Sequence, residues 1–269
     1  MSGVGRDPFG APGELLPAVV GSAEVGPDDP LTDLYRIEEV VVNGGGSGRA
    51  VSPGRDRDFR AGRHCARLAL REIGHGGVAV PVGPGGVPQW PADVVGSITH
   101  SRGRAGAAAA GLGVLVHVGS AGAPRRLLGL GIDMEGGTIS ERAVRRVLRP
   151  TELQSVATLG RGRPGVRSWA TVLFSAKESF YKAWWPAVGV RLGFQDVEVA
   201  LHPSVGETAG IGGSSASGEG AGSDRLAGSF SVTIRRMFQV AVPAADCFGG
   251  RFEMEGGWVR TAVLLTAPG

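Results

Sequence analysis

The chain has 269 residues, of which 42% are hydrophobic and 20% are charged, a balance typical of a globular protein with a sizeable core. This composition excludes a single-motif peptide and a wholly disordered chain. The formal net charge of +3 suits an anionic ligand, an acidic partner or nucleic acid without selecting among them. Two cysteines without metal-ligand spacing, and no recognisable signal peptide, predict a cytoplasmic protein.

The first half of the chain predicts one long helix followed by a small sheet. Residues 1–50 are rich in glycine and proline, with one short helix predicted at residues 31–37 and a flexible loop at residues 43–48. Apolar residues at helical spacing predict a helix from Pro53 to Ile73, whose other face carries a row of arginines. A strand is predicted at residues 94–99. The uncharged stretch 105–124 is long enough for a membrane span, but its alanines, glycines and central turn favour two short buried strands.

The second half predicts a further set of helices and strands. A buried strand is expected at residues 127–134, and helices at 140–148 and 151–159, the first with Ser140 as N-cap. A long amphipathic helix is predicted from Ser168 to Trp185, ended by Pro186. Strands follow at residues 197–201, 230–242 and 258–265, with a mobile Gly/Ser-rich surface loop at 204–228. The pattern suggests two successive helix-plus-strand halves that divide near Leu128.

The motif Gly131-Ile132-Asp133-Met134-Glu135 ends the strand predicted at residues 127–134. Alternation along a strand sends Asp133 and Glu135 to one side and Met134 to the other. Two converging carboxylates are either solvated or share a cation, and an oxygen-only ligand set favours Mg²⁺. A solvated strand end is the more frequent explanation of an isolated motif of this kind.

The only two lysines of the chain, Lys177 and Lys182, flank Glu178 in the long helix, whereas every other basic residue apart from histidine is arginine. Lysine is a compact point charge with a shiftable pKa, so this local choice indicates chemistry that needs an ammonium group. Glu178 and Lys182 lie four residues apart on one helical face, which also fits an ordinary surface salt bridge. A third carboxylate beside ammonium groups fits metal-assisted pyrophosphate chemistry.

The segment Gly96-Ser97-Ile98-Thr99-His100-Ser101 places a histidine and three hydroxyl groups at a strand end. A lone histidine is more often structural than functional. Because of the neighbouring hydroxyl groups, a role for His100 in binding a phosphate is as plausible as a structural role.

These motifs together resemble the 4'-phosphopantetheinyl transferases of the surfactin and enterobactin type, especially the actinobacterial members. The resemblance covers about residues 55 to 265 and also includes residues 63–67, 88–91, 192–194 and 250–252. It implies an α+β fold of two pseudo-symmetric α/β halves, each a small antiparallel sheet packed with a long helix, at residues 1–128 and 129–269. A monomer with coenzyme A bound between the halves is expected.

The resemblance also implies an activity: transfer of 4'-phosphopantetheine from coenzyme A to a serine of an apo acyl or peptidyl carrier protein, with release of 3',5'-ADP. Siderophore, polyketide and nonribosomal peptide biosynthesis depend on such transfer. Mg²⁺, with Mn²⁺ as an alternative, is expected on Asp133, Glu135 and Glu178. Glu178 is also the expected base, and Lys182 steadies the developing charge. The expected contacts to coenzyme A are Arg55, Arg63, Thr99, His100, Lys177 and Lys182.

Departures from the family pattern and competing functions limit this interpretation. Val82 stands where close relatives commonly have a lysine, which removes one expected coenzyme contact. A Mg²⁺-dependent nuclease or phosphohydrolase would use the same acidic and basic groups without a coenzyme. A nucleic-acid-binding module would use the arginines of residues 55–71, but the aromatic residues cluster around the Lys-Glu-Lys helix instead. Neither nucleic acid nor a membrane is therefore expected as a partner.

Overall fold

The computed structural model describes residues 20–31, 53–117, 124–161, 167–204, 225–236 and 248–268. Within these ranges the strands are β1 (Gly21–Val25), β2 (Val94–Ser101), β3 (Arg104–Gly111), β4 (Leu115–His117), β5 (Pro124–Gly136), β6 (Val197–Pro203), β7 (Leu226–Ile234), β8 (Phe248–Glu255) and β9 (Trp258–Pro268). The α-helices are α1 (Pro53–Glu72), α2 (Glu141–Val147), α3 (Pro150–Leu159) and α4 (Arg167–Val188). A single 3₁₀ turn spans Pro84–Gly86.

The first sheet has three antiparallel strands in the order β1-β3-β2, and helix α1 packs on it. Strand β3 consists almost entirely of alanine and glycine, so its small side chains let the helix approach closely. The buried residues of this layer include Ala61, Cys65, Ala66, Ala69, Leu70, Ala105, Ala107 and Ala109. The thiol of Cys65 donates a hydrogen bond to the carbonyl of Ala105. Burial raises the pKa of Cys65 to about 12, so the thiol stays protonated and Cys65 serves as a packing residue.

The second sheet has six antiparallel strands in the order β4-β5-β9-β8-β7-β6. Helix α4 covers one face with large aromatic side chains, among them Trp169, Phe180 and Trp184, which pack on Phe252 and Phe248. On the opposite face Leu130, Ile132 and Ala262 pack against Ala108 of the first sheet. Strand β5 is therefore buried on both sides, between the three-stranded sheet and helix α4.

Two glycines of β5 let the backbone of α4 lie directly against the strand. A Cβ atom at Gly131 would lie 1.8 Å from the carbonyl oxygen of Ser179, and one at Gly129 would lie 2.8 Å from that of Ala183. Real Cβ atoms do not approach backbone oxygens so closely, so any larger residue must push the helix away from the strand. Because the helix lies so close to the strand, side chains of α4 such as Ser175 and Lys182 contact Asp133 of β5.

We expect Gly131→Ala to lower the free energy of unfolding by about 3 kcal/mol or more, because the added methyl group overpacks a contact between two backbones. Urea denaturation with a matched control, Gly54→Ala, measures the effect. Gly54 lies in α1 with nothing within 4 Å of a built Cβ, so its substitution should be neutral or slightly stabilising. Equal stabilities of the two variants would contradict the close approach.

The α+β fold with antiparallel sheets and a long helix on each is confirmed, as are most of the predicted elements. The helix from Pro53, the two strands of the uncharged stretch, the helix capped by Ser140 and the strand carrying Asp133 all form. No helix in the described part of the chain is long and apolar enough to cross a membrane. The predicted division at residue 128 falls within β5, next to a register shift between Leu127 and Gly129, and stays a prediction.

Some predicted boundaries were wrong. Pro186 does not end α4, which continues to Val188, because a proline near a helix end forfeits only one backbone hydrogen bond. Gly189, with φ +72°, ends it instead. Strand β7 begins at Leu226 and ends at Ile234, whereas the prediction ran from residue 230 to 242, of which residues 237–242 lie outside the described ranges. Strands β1 and β8 were not predicted. The predicted helix at 31–37 starts at the edge of the described residues, and most of it, the loop at 43–48 and residues 205–224 lie outside them.

Candidate active site

Asp133 lies at the centre of the candidate site, where β5, β2 and α4 meet. Asp133 is only 3% exposed in the protein, and its side chain accepts three hydrogen bonds. Thr99 donates to Oδ1 at 3.2 Å, Ser175 donates to Oδ2 at 2.8 Å, and Lys182 Nζ lies 2.7 Å from Oδ1. Ser175 is in turn within 2.9 Å of the Thr261 hydroxyl. Groups from two sheets and one helix thus fix the orientation of this carboxylate.

Glu135 lies one pleat further along β5 and points to the same side as Asp133, as the alternation predicted. Ser101 donates a hydrogen bond to Glu135 Oε2 at 3.1 Å. Burial and the nearby charge of Asp133 raise the pKa of Glu135 to about 7, against the lowering effects of Ser101 and Lys182. Met134 points the other way, toward Gly106 of β3. The two carboxylates therefore lie on the same side of β5, and the nearby positive charge of Lys182 does not compensate the burial and repulsion that act on Glu135.

Helix α4 contributes Glu178 and Lys182 on one face, opposite the carboxylates of β5. Burial raises the pKa of Glu178, and the charge of Asp133 adds to that effect while Lys182 opposes it. Lys182 is 29% exposed at its side chain, so its ammonium group lies at the boundary between Asp133 and solvent. Lys182 thus contacts Asp133, and Glu178 lies near enough for its charge to interact with those of Asp133 and Glu135.

Three carboxylates against one ammonium group leave this cluster with an excess of negative charge. A divalent cation would offset the burial and the mutual repulsion that raise the pKa values of Glu135 and Glu178. The donor set, which consists of oxygen atoms alone, suits Mg²⁺ or Mn²⁺. Among the described residues no three carboxylate, histidine or cysteine side chains lie close enough together to hold a cation, so Asp133, Glu135 and Glu178 do not form a preassembled three-ligand site. The residues thus fit a magnesium ion in charge and in ligand type.

We expect the affinity of this cluster for Mg²⁺ to rise about tenfold for each pH unit up to about pH 7 and to level off above it, because a proton on Glu135 competes with the metal. The stability of the metal-free protein should run the opposite way. A carboxyl group whose pKa is raised by folding from 4.5 to about 7 holds a proton in the folded state, so its contribution to stability is lost as the pH rises through that window.

Thermal melting with and without Mg²⁺ between pH 5 and 8.5 measures both trends. The matched variant is Glu135→Gln, which cannot titrate, so the difference between wild type and variant isolates this one group. A difference that does not change with pH would contradict the raised pKa.

Lys177 requires a correction, because the structure does not bring it to the cluster. Its side chain is fully buried at 0% exposure. Its ammonium group donates to the carbonyls of Val147 and Phe194 at 2.9 and 2.8 Å, and to Glu152 Oε2 at 2.8 Å. Burial lowers the pKa of Lys177, and the hydrogen bond that Lys177 donates to Glu152 opposes that effect. With all three donors used, Lys177 has none left for a coenzyme phosphate.

The other predicted coenzyme contacts fall into two groups. Thr99 is 1% exposed and its hydroxyl is used by Asp133 and by the amide of Met134, which corrects its assignment as a phosphate contact. Arg63 is also buried, with its guanidinium group over the ring of Phe59. Arg55 and His100 are exposed. His100 Nδ1 lies 3.7 Å from Asp58 of α1, so the end of β2 and the start of α1 adjoin.

Several residues that shape the site were not assigned from the sequence. Ser175 and Thr261 hold Asp133, and Glu152 holds Lys177. Ser175 lies three and seven residues before Glu178 and Lys182, so helical spacing alone would have placed it on the same face. Thr261 and Glu152 had no comparable signal, since each meets its partner only through the tertiary fold.

The chain belongs to the 4'-phosphopantetheinyl transferase family, as its similarity to known proteins shows. Residues 48–110 match the 4'-phosphopantetheinyl transferase N-terminal domain, and residues 129–231 match the 4'-phosphopantetheinyl transferase superfamily. The chain is 35% identical over 251 residues to the 4'-phosphopantetheinyl transferase Svp of Streptomyces mobaraensis, a match that covers 90% of this chain and 82% of Svp.

Two further relatives have the same activity in their names. The transferase Npt of Nocardia iowensis is 36% identical over 189 residues, which cover 70% of this chain and 75% of Npt. The transferase PptT of Mycobacterium tuberculosis is 31% identical over 257 residues, which cover 93% of this chain and 96% of PptT. The chain is thus a transferase that moves phosphopantetheine to carrier proteins.

Proposed function

We propose that this transferase uses Asp133, Glu135 and Glu178 to hold Mg²⁺ or Mn²⁺, and that Glu178 and Lys182 carry the transfer step. The observation that carries this proposal is the meeting of the two β5 carboxylates with the Glu178–Lys182 face of α4. Lys182 already contacts Asp133 at 2.7 Å. The alternative of a nuclease or phosphohydrolase lacks support from the family match, which names a transferase over both halves of the chain.

In the proposed reaction, Glu178 removes the proton of a carrier-protein serine, directly or through a water molecule. Burial shifts the pKa of Glu178 upward, in the direction of neutral pH, and a general base works best when its pKa is near the working pH. The serine oxygen then attacks the phosphorus attached to pantetheine, and the bond from that phosphorus to the oxygen of 3',5'-ADP breaks. Lys182, partly exposed beside Asp133, neutralises charge on the departing phosphate. A bound Mg²⁺ would supply further neutralisation of the pyrophosphate.

Coenzyme A is proposed to bind between the N-terminal residues 1–128 and the C-terminal residues 129–269. Arg55 and His100 support this placement because both are exposed at neighbouring ends of α1 and β2. Arg63 lies on the buried side of α1 and gives this placement no comparable support. We further propose that the chain acts as a cytoplasmic monomer on carrier proteins of siderophore, polyketide or nonribosomal peptide assembly.

The test is incubation of the purified chain with coenzyme A, Mg²⁺ and an apo acyl or peptidyl carrier protein, followed by mass spectrometry. The expected result is a mass increase of one phosphopantetheine group on the carrier, absent when EDTA replaces Mg²⁺ and absent with Glu178→Gln. Lack of transfer to several unrelated apo carriers would overturn the proposal. Hydrolysis of DNA or nucleotides without a carrier, lost in the same variant, would favour the phosphohydrolase.

A further inference from the structure

Strands β2 and β5 belong to different sheets, yet three hydroxyl groups join them side by side. Ser97, Thr99 and Ser101 are alternate residues of β2, and we refer to them as the hydroxyl ladder. Each accepts a hydrogen bond from an amide of β5, and these amides belong to Ile132, Met134 and Gly136 at 3.0, 3.1 and 3.2 Å. Each pair is 35 residues apart, so the two strands run in the same direction. Side-chain hydroxyl groups thus hydrogen-bond the two strands to each other, as backbone carbonyl groups do between neighbouring strands of one sheet.

Each hydroxyl of the ladder also donates its own proton, and the acceptors differ in kind. Ser97 points back to the backbone carbonyl of Ile132 at 3.5 Å. Thr99 donates to Asp133 and Ser101 donates to Glu135, at 3.2 and 3.1 Å. A hydroxyl group has a single proton, so accepting from the amide leaves that proton directed at the carboxylate. Two of the three hydroxyls therefore end on proposed metal ligands, and one does not.

We propose that Thr99 and Ser101 are positioning residues that fix the side-chain orientation of Asp133 and Glu135 for the divalent cation. The three-stranded sheet would then set the metal affinity of a site whose ligands lie on the six-stranded sheet and α4. This inference rests on the proposed metal site. Partners that hydrogen-bond to metal ligands typically contribute 10- to 100-fold in metal affinity, because they fix the orientation of the ligand.

The ladder offers a matched control within itself. Thr99→Val and Ser101→Ala each remove one carboxylate contact and leave one β5 amide without its acceptor. Ser97→Ala leaves an amide without its acceptor in the same way but touches no carboxylate. Ser101→Thr serves as a rescue variant. It keeps the hydroxyl group that positions Glu135 but adds a methyl group, so it preserves the hydrogen bond and changes the packing.

The experiment measures Mn²⁺ binding by electron paramagnetic resonance in the presence of coenzyme A and without a carrier protein, so no turnover occurs. We expect the dissociation constant for Mn²⁺ to increase about tenfold or more in Thr99→Val and Ser101→Ala. It should stay unchanged in Ser97→Ala and return close to wild type in Ser101→Thr. Urea denaturation should show similar stability losses for the variants Ser97→Ala and Thr99→Val.

Two outcomes would overturn the inference. Unchanged Mn²⁺ binding in Thr99→Val and Ser101→Ala would show that the hydroxyls do not position the carboxylates. Equal weakening in all three variants, Ser97→Ala included, would show an effect of strand packing alone. In either case the proposed function survives if wild type modifies a carrier and Asp133→Ala does not. Absence of Mn²⁺ binding and of transfer in wild type would instead remove the proposed function itself.

Discussion

An Asp133→Ala variant is expected to lose carrier-protein modification by more than about 100-fold while it keeps its fold. Changes to groups that only support a metal ligand typically cost 10- to 100-fold, so loss of the ligand itself should exceed that range. The substitution also leaves Lys182 without its 2.7 Å partner, and the half-exposed ammonium group is free to turn to solvent. The stability loss should therefore stay within about 1 to 3 kcal/mol from the hydrogen bonds removed.

Initial rates with coenzyme A, Mg²⁺ and an apo carrier measure the effect, and circular dichroism checks the fold. Asp133→Asn is the sharper variant, because it keeps the size of the side chain and removes the charge. Asp93→Ala is the matched control, since Asp93 is an exposed aspartate paired with His75 and should leave the rate unchanged. Retained turnover in Asp133→Ala would remove Asp133 from the active site.

The part of the site that followed local periodicity was predictable from the sequence. Strand alternation placed Asp133 and Glu135 on one side with Met134 opposite, and helical spacing placed Glu178 and Lys182 on one face. The partners that orient them were not predictable. Thr99 is 34 residues from Asp133 and Ser175 is 42 residues from it, so these contacts exist only after the sheets and α4 have packed.

The fold shows the same division between local and tertiary information. Helices α1 and α4 carry strong apolar periodicity and were predicted within a few residues at each end. Strand β8 was missed because two glycines interrupt the apolar alternation that Phe248 and Phe252 begin. One of them, Gly250, is required by packing, since a Cβ there would lie 2.3 Å from the ring of Phe230. Short β1 has too few residues for a periodic signal.

The scarcity of lysine drew attention to α4 and led the sequence analysis to assign both lysines to the same function. Adjacent residues of a helix point about 100° apart, so Lys177 and Glu178 must meet different neighbours. Lys177 turns toward Glu152 of α3, whose other oxygen accepts from the amide of Val199 at 2.8 Å. In the sequence Glu152 is only an acidic residue in the first turn of a short helix. Nothing local identified it as the partner of a buried ammonium group.

Replacing Lys177 by methionine should therefore reduce stability, whereas replacing Lys182 by methionine should reduce activity. Removal of one partner from a buried ion pair leaves an uncompensated charge and typically costs about 3 to 5 kcal/mol. Lys177 also joins the carbonyls of Val147 and Phe194, so the loss should loosen the α2–α3 junction from α4. Lys182→Met removes an ammonium group that is 29% exposed and leaves Asp133 its hydrogen bonds from Thr99 and Ser175, so we expect a smaller loss in the free energy of unfolding, about 1 to 3 kcal/mol.

Urea denaturation and initial transfer rates on both variants separate these two roles. The double variant Lys177→Met/Glu152→Gln removes the unpaired charge and retains an acceptor for Val199, so it should recover part of the stability lost by Lys177→Met. The dissociation constant for coenzyme A should stay close to wild type in Lys177→Met as long as the fold is intact. A Lys177→Met variant with wild-type stability and weakened coenzyme binding would return Lys177 to the phosphate site, against its buried ion pair. The two lysines would then share one function, as their spacing in the sequence first suggested.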